Sequence, residues 1–91
     1  MTDDEFLAAF EAATLPRSEW THEAHIRTAW LYLTRLPFAE AVQRPRAGIR
    51  AYNEVHGNPA AYHDTVTVGF VRLIASRLTA KEGFAAFLER N

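Results

Sequence analysis

The sequence predicts an all-α domain, a compact orthogonal or up-down bundle of about five helices, and three observations carry that expectation. Apolar residues recur at spacings of three and four through most of the chain, the periodicity of helices with one buried face. Pro16, Pro37 and Pro59 fall between those stretches, where they separate one helix from the next. Only Thr65-Val66-Thr67-Val68 alternates as a β-branched strand would, and a lone strand would leave its backbone groups without partners. Ninety-one residues suit a single domain covering the whole chain, 1–91.

Thr2 with Glu5 three residues on forms a capping box, and Asp3 and Asp4 complement the positive end of a helix dipole. Phe6, Phe10 and Ala13, flanked by Leu7, then place a first helix at about residues 3–14. Pro16 ends it, because a residue before proline is pushed out of the α region. Thr21 is the N-cap of a second helix, about 22–36, whose apolar face is Ile26, Ala29, Trp30 and Leu33.

Phe38, Val42, Ile49, Tyr52 and Val55 trace one face of a third helix, about 38–56. Pro45 lies inside it, removing an amide donor and crowding the preceding turn, so a kink or break is expected near Arg44. Gly57 suits a left-handed residue after the helix, and Asn58-Pro59 prevents continuation. Tyr62, Val66, Phe70, Leu73 and Ile74 fit a fourth helix over about 60–78, its length deciding against a strand. Thr79 and Glu82 form a second capping box, opening a fifth helix at about 80–89 with Phe84, Phe87 and Leu88 as apolar contacts.

Composition narrows the function classes. The chain is 48% hydrophobic and 23% charged, the balance of a globular protein. A net charge of -1 gives no general attraction to nucleic acid or to an anionic membrane, so neither is expected as a partner. No cysteine is present to build a disulfide or a thiolate metal site. No apolar run approaches the roughly 20 residues of a spanning helix. The acidic start is unlike a signal peptide, and a cytoplasmic location follows as the expectation.

Chemistry concentrates at Trp20-Thr21-His22-Glu23-Ala24-His25. His22 and His25 are three apart and share a helix face, which suits one metal ion if a third ligand joins them. His63 is the natural third, with Asp64 or Glu23 as carboxylate support and His56 in reserve. A divalent metal such as zinc, nickel or iron is the cofactor class this set would take. Against it stands a structural role, in which a histidine near a helix start bonds a loop carbonyl and pins the preceding turn. Tyr52, Asn53, Tyr62 and His63 could likewise satisfy one another with no ligand. Nucleophilic catalysis has little support: the serines are Ser18 and Ser76, neither beside a histidine in sequence. Nor do the four glycines make a phosphate-binding loop. Arg27, Arg35, Arg44, Arg46 and Arg50 read as a solvated face paired with carboxylates such as Glu40 and Glu54.

Three blocks, Trp20-x-His22-x-x-His25-x-x-x-Ala29-x-x-Tyr32-Leu33, Gly48-Ile49-x-x-Tyr52-Asn53 with His56-Gly57, and Tyr62-His63-x-Thr65-x-Thr67, together resemble a family of short uncharacterised bacterial proteins. The likeness covers about residues 20–78. It implies that the blocks share one site or one core, and it brings no reaction with it. Relatives of that kind continue past the segment Phe84–Asn91, so a further C-terminal piece covering the site is expected of them.

The leading reading is a small helical binding domain whose polar pocket, for a small-molecule ligand, is built from His22, His25, Asn53, Tyr62 and His63. One competitor is a metal-dependent enzyme or metal-binding protein using His22, His25 and His63. The other is an interaction module without pocket chemistry, a homodimer covering apolar surface on the fifth helix at Phe84 and Phe87.

Overall fold

The computed structural model describes residues 1–79 and 82–91. It contains five α-helices, and no strand occurs among the described residues. α1 (Asp3–Glu11) opens with the expected capping box: the Glu5 amide donates to the Thr2 hydroxyl at 3.1 Å, and the Thr2 amide donates to the Glu5 carboxylate at 2.9 Å. α1 ends earlier than residue 14 because Ala13 turns left-handed, at φ 58°. That turn sends the Thr14 and Leu15 amides back to the Ala9 carbonyl, at 2.9 and 3.3 Å. The backbone thus satisfies an otherwise orphaned carbonyl at the cost of a conformation alanine rarely adopts.

α2 (His22–Arg35) is capped by the Thr21 hydroxyl, which accepts from the Ala24 amide at 3.1 Å. α3 (Phe38–Val55) runs unbroken through Pro45, so the break considered near Arg44 does not occur. Pro45 is buried in the wall facing α2 and α4. Gly57 takes φ 76°, and the Asn58 amide returns to the Asn53 carbonyl at 2.7 Å, closing the helix as expected.

α4 (Asp64–Ser76) carries residues 65–68 as helix. It starts at Asp64 rather than about 60, since Pro59–Ala61 form a short 3-10 turn and Tyr62 and His63 are extended. α5 (Phe84–Arg90) follows Gly83. A helix start at residue 80 falls on Ala80 and Lys81, which lie outside the described residues. Glu82 accepts from Arg90 at 2.9 Å, and this guanidinium, helped by a Thr79 hydrogen bond, holds its carboxyl below the usual range.

α2 is shared by two apolar clusters. On one side Leu31 and Tyr32 join Phe6, Phe10, Leu15 and Tyr52, binding α2 to α1 and α3. On the other, Ala29 meets Val42, Val71, Ile74 and Phe87, binding it to α3, α4 and α5. Phe87 is fully buried there, and Phe84 is half-buried with its ring 5.5 Å from that of Trp30. The exposed phenylalanine pair expected on the last helix is therefore absent, and with it the ground for a dimer through α5. Arg27, Arg35 and Arg44 pair with Asp3, Asp4 and Glu11, tying α1 to α2 and α3 across the surface. These are the solvated pairs anticipated, with different carboxylates. No helix among the described residues is long and apolar enough to cross a membrane.

One close approach sets the spacing of α1 and α3. A Cβ on Gly48 would lie 2.3 Å from the Phe10 ring, and Phe10 is fully buried with nowhere to swing. Gly69, inside α4, would meet nothing within 4 Å. Gly48→Ala should therefore destabilise by about 1–3 kcal/mol through overpacking, while Gly69→Ala should stabilise by up to about 1 kcal/mol through helix propensity. Urea unfolding of both variants checks the pair, and a stabilised Gly48→Ala would contradict the packing described.

Candidate functional site

The site begins with the N-cap of α2. The Thr21 carbonyl accepts the His25 amide at 3.0 Å, as the first helical bond, and also the His25 ring nitrogen Nδ1 at 2.7 Å. A carbonyl can only accept, so Nδ1 carries the hydrogen and Nε2 presents a lone pair in the neutral ring. The ring also lies against Trp20, with centroids 3.9 Å apart. Burial lowers the His25 pKa, outweighing the Thr21 bond that raises it, and the charge of nearby His22 lowers it further. His25 is accordingly a neutral, oriented acceptor at neutral pH.

Trp20 is held in turn from three sides. Phe10 of α1 stacks on it at 5.1 Å, and Tyr52 of α3 lies at 5.3 Å. The Tyr52 hydroxyl, on a nearly fully buried side chain, donates to the Leu15 carbonyl at 3.0 Å. Beyond Tyr52 the His56 ring follows at 4.1 Å, with its Nε2 buried and unpartnered among the described residues. A ladder of four rings, His25, Trp20, Tyr52 and His56, thus runs along the inner side of α2 and α3.

On the other side of His25 lies a cavity of about 370 Å³ between α2, α3 and α4. α2 contributes His22, His25, Thr28 and Ala29, and α3 contributes Pro45 and Ile49. α4 closes it with Val66, Thr67, Phe70 and Val71. The two threonines have spent their hydroxyl hydrogens, Thr28 on the Ala24 carbonyl at 2.9 Å and Thr67 on the His63 carbonyl at 3.2 Å. What remains polar in the wall are acceptor lone pairs and the two imidazoles. Among the described residues no carboxylate, lysine or arginine lines it.

The residues expected to share a pocket divide. His22 and His25 enter the cavity wall; Asn53, Tyr62 and His63 do not. His63 is exposed in the extended residue before α4, which begins four residues later than anticipated, and its carbonyl accepts from the Thr67 amide and hydroxyl. The trio His22, His25 and His63 is accordingly not assembled. Among the described residues no three His, Asp or Glu side chains form a group able to hold a metal ion. Asn53 is half-buried, and its carbonyl serves the turn after α3.

Tyr62 belongs to a different cluster. Its hydroxyl donates to Asp64 at 2.6 Å, and Arg46 grips the same carboxylate through two bonds of 2.7 and 2.9 Å. Arg46 and Tyr62 hold the Asp64 carboxyl below its usual range, and burial raises the Tyr62 hydroxyl. Arg50 lies over the Tyr62 ring at 5.0 Å. The cluster fastens the start of α4 to α3, leaving Asp64 engaged rather than available to a metal.

Thr28, Ile49, Thr67 and Phe70 were not anticipated in the site. The signal for Thr28 and Ala29 was legible, since they continue the helical face of His22 and His25 by one turn. Nothing in the local pattern distinguishes Ile49 or Phe70 from core residues. No family model, curated protein or solved structure matches the chain.

The lowered pKa of His25 has a defined consequence for stability. The folded state resists protonation, so its contribution is complete above the ordinary imidazole value of 6.5 and is lost as pH falls towards the lower folded pKa. Stability should therefore decline on acidification from about 6.5. His25→Phe, which keeps a ring on Trp20, should flatten that decline. Urea unfolding followed by Trp fluorescence at several pH values makes the comparison; an equal slope in both proteins would assign the titration elsewhere.

Proposed function

We propose that the protein is a binding domain for a small, mainly apolar molecule that carries one hydrogen-bond donor, taken up in the cavity between α2, α3 and α4. The observation that carries this reading is His25 itself: a neutral ring, fixed by Thr21 and Trp20, in the wall of a mainly apolar space. A cavity of about 370 Å³ lies near the lower end of the volumes typical of small-molecule sites. Apolar walls supply affinity by excluding water, and one oriented acceptor supplies selection. Each of the three sequence blocks contributes to the cavity wall, through His22 and His25, Ile49, and Thr67, which supports the reading that they serve one site. A cytoplasmic location belongs to the same proposal.

The test is a titration with p-cresol and toluene, matched in shape but differing in a hydroxyl donor. p-Cresol should bind saturably and shift the His25 ring and Ile49 methyl resonances. Toluene should bind about fivefold more weakly, the size of one net hydrogen bond. Ile49→Trp should weaken both by about tenfold or more by filling the space. If neither compound perturbs these resonances, the cavity is not a binding site for such molecules.

A further inference from the structure

The cavity wall holds a one-sided set of hydrogen-bonding groups. Thr28 and Thr67 are buried, and each hydroxyl donates to the backbone carbonyl one turn back, at 2.9 and 3.2 Å. Their oxygens keep lone pairs and have no second hydrogen to give. His25 donates through Nδ1 to the Thr21 carbonyl, and Nε2 has no partner among the described residues. Backbone amides of the lining helices run along the helix axes rather than across them. Among the lining side chains only His22, exposed at the start of α2, keeps a hydrogen to offer.

Such a wall discriminates among polar groups. A carboxylate only accepts, and here it finds acceptors. An ammonium donates but brings a charge, and among the described residues no carboxylate lines the cavity to offset it. Hydroxyls and amides donate, yet each carries an acceptor oxygen that burial here leaves unpaired. A pyrrole-type N–H donates and accepts nothing. Size points to more than one ring: an apolar space of about 150 Å³ holds a benzene, and about 370 Å³ has room for two fused rings. Phe70, Pro45 and Ile49 give them flat apolar faces to pack on.

We propose that the cavity takes an indole-type ligand, a fused aromatic bicycle with one N–H donor and no acceptor, which donates to Nε2 of His25. The proposal rests on the cavity reading above and narrows its ligand from any donor-bearing molecule to a donor without an acceptor. His25 selects by attraction. Thr28 and Thr67 select by exclusion, since their lone pairs oppose those of an acceptor placed beside them.

The experiment is calorimetric and NMR titration of the full chain with indole, indene and 7-azaindole. Indene keeps the shape and lacks the N–H; 7-azaindole keeps both and adds an acceptor nitrogen. Indole should shift the His25 and Ile49 resonances and bind about fivefold more tightly than indene. 7-Azaindole should bind at least about fivefold more weakly than indole, a loss that a wall able to donate would make good. His25→Phe should bring indole and indene to equal affinity, and the azaindole comparison needs no variant at all. Equal binding of indole and 7-azaindole, equal binding of indole and indene by the unaltered protein, or an undiminished indole preference in His25→Phe would overturn the proposal. Where p-cresol still outranks toluene in those cases, the cavity reading stands without it. If none of the five compounds perturbs the two resonances, both readings fall.

Discussion

The position of Trp20 governs the rest of the structure. Its ring takes contacts from Phe10, His25 and Tyr52, one from each of the first three helices. That meeting is sterically conditional. Phe10 can reach Trp20 only because α3 passes it at Gly48, where no side chain stands in the way. Tyr52, one turn further along α3, then fixes the connection between α1 and α2 by accepting no compromise in its own bond: its hydroxyl is satisfied by the Leu15 carbonyl. Buried hydroxyls left without such partners are costly, so this bond fixes the register of α3 as well as filling a need.

From this arrangement the cavity follows. α2 presents large residues, Leu31 and Tyr32, to the first cluster, and small ones, Thr28 and Ala29, towards α4. Pro45 occupies the adjacent turn of α3 with a compact ring. The start of α4 is held by the Arg46–Asp64–Tyr62 cluster and its end by Val71, Ile74 and Phe87 packing in the second core. Both ends are fastened while α2 and α3 present Thr28, Ala29 and Pro45 between them, and these compact side chains leave the space open. Close-packed interiors normally leave no such space.

The sequence disclosed the helices well because caps, prolines and the 3.6-residue period agreed along most of the chain. It disclosed boundaries less well where backbone chemistry intervened. Ala13 adopts a left-handed turn with no glycine to announce it. Pro45 suggested a break, yet the remaining bonds of α3 and the packing on both sides carry the helix through it. The site was half legible. His22 and His25 were identifiable from their spacing, and His25 does bond the loop carbonyl that a structural histidine would choose. Assigning His63 to them assumed that α4 begins near residue 60. The 3-10 turn at Pro59–Ala61 moved that start and left His63 outside. Ile49 and Phe70 were hidden because a residue lining an apolar cavity has the same pattern as one filling a core.

The two readings of His25, pinning device and ligand acceptor, are not rivals. Nδ1 bonds the Thr21 carbonyl at the start of α2, and doing so leaves the lone pair of the neutral ring on Nε2, the nitrogen the proposed reading would use. An oriented neutral imidazole could also act as a general base, but a base needs a proton to remove from something held nearby. Ser76 spends its hydroxyl on the Leu73 carbonyl in the last turn of α4, and Ser18 is exposed in the turn before Trp20. The threonine hydroxyls of the wall already donate to backbone carbonyls. Both threonine hydroxyls of the cavity wall thus have backbone acceptors, at 2.9 and 3.2 Å, and neither is hydrogen-bonded to His25. On the proposed reading, His25 is the group through which the wall would recognise a donor in a ligand.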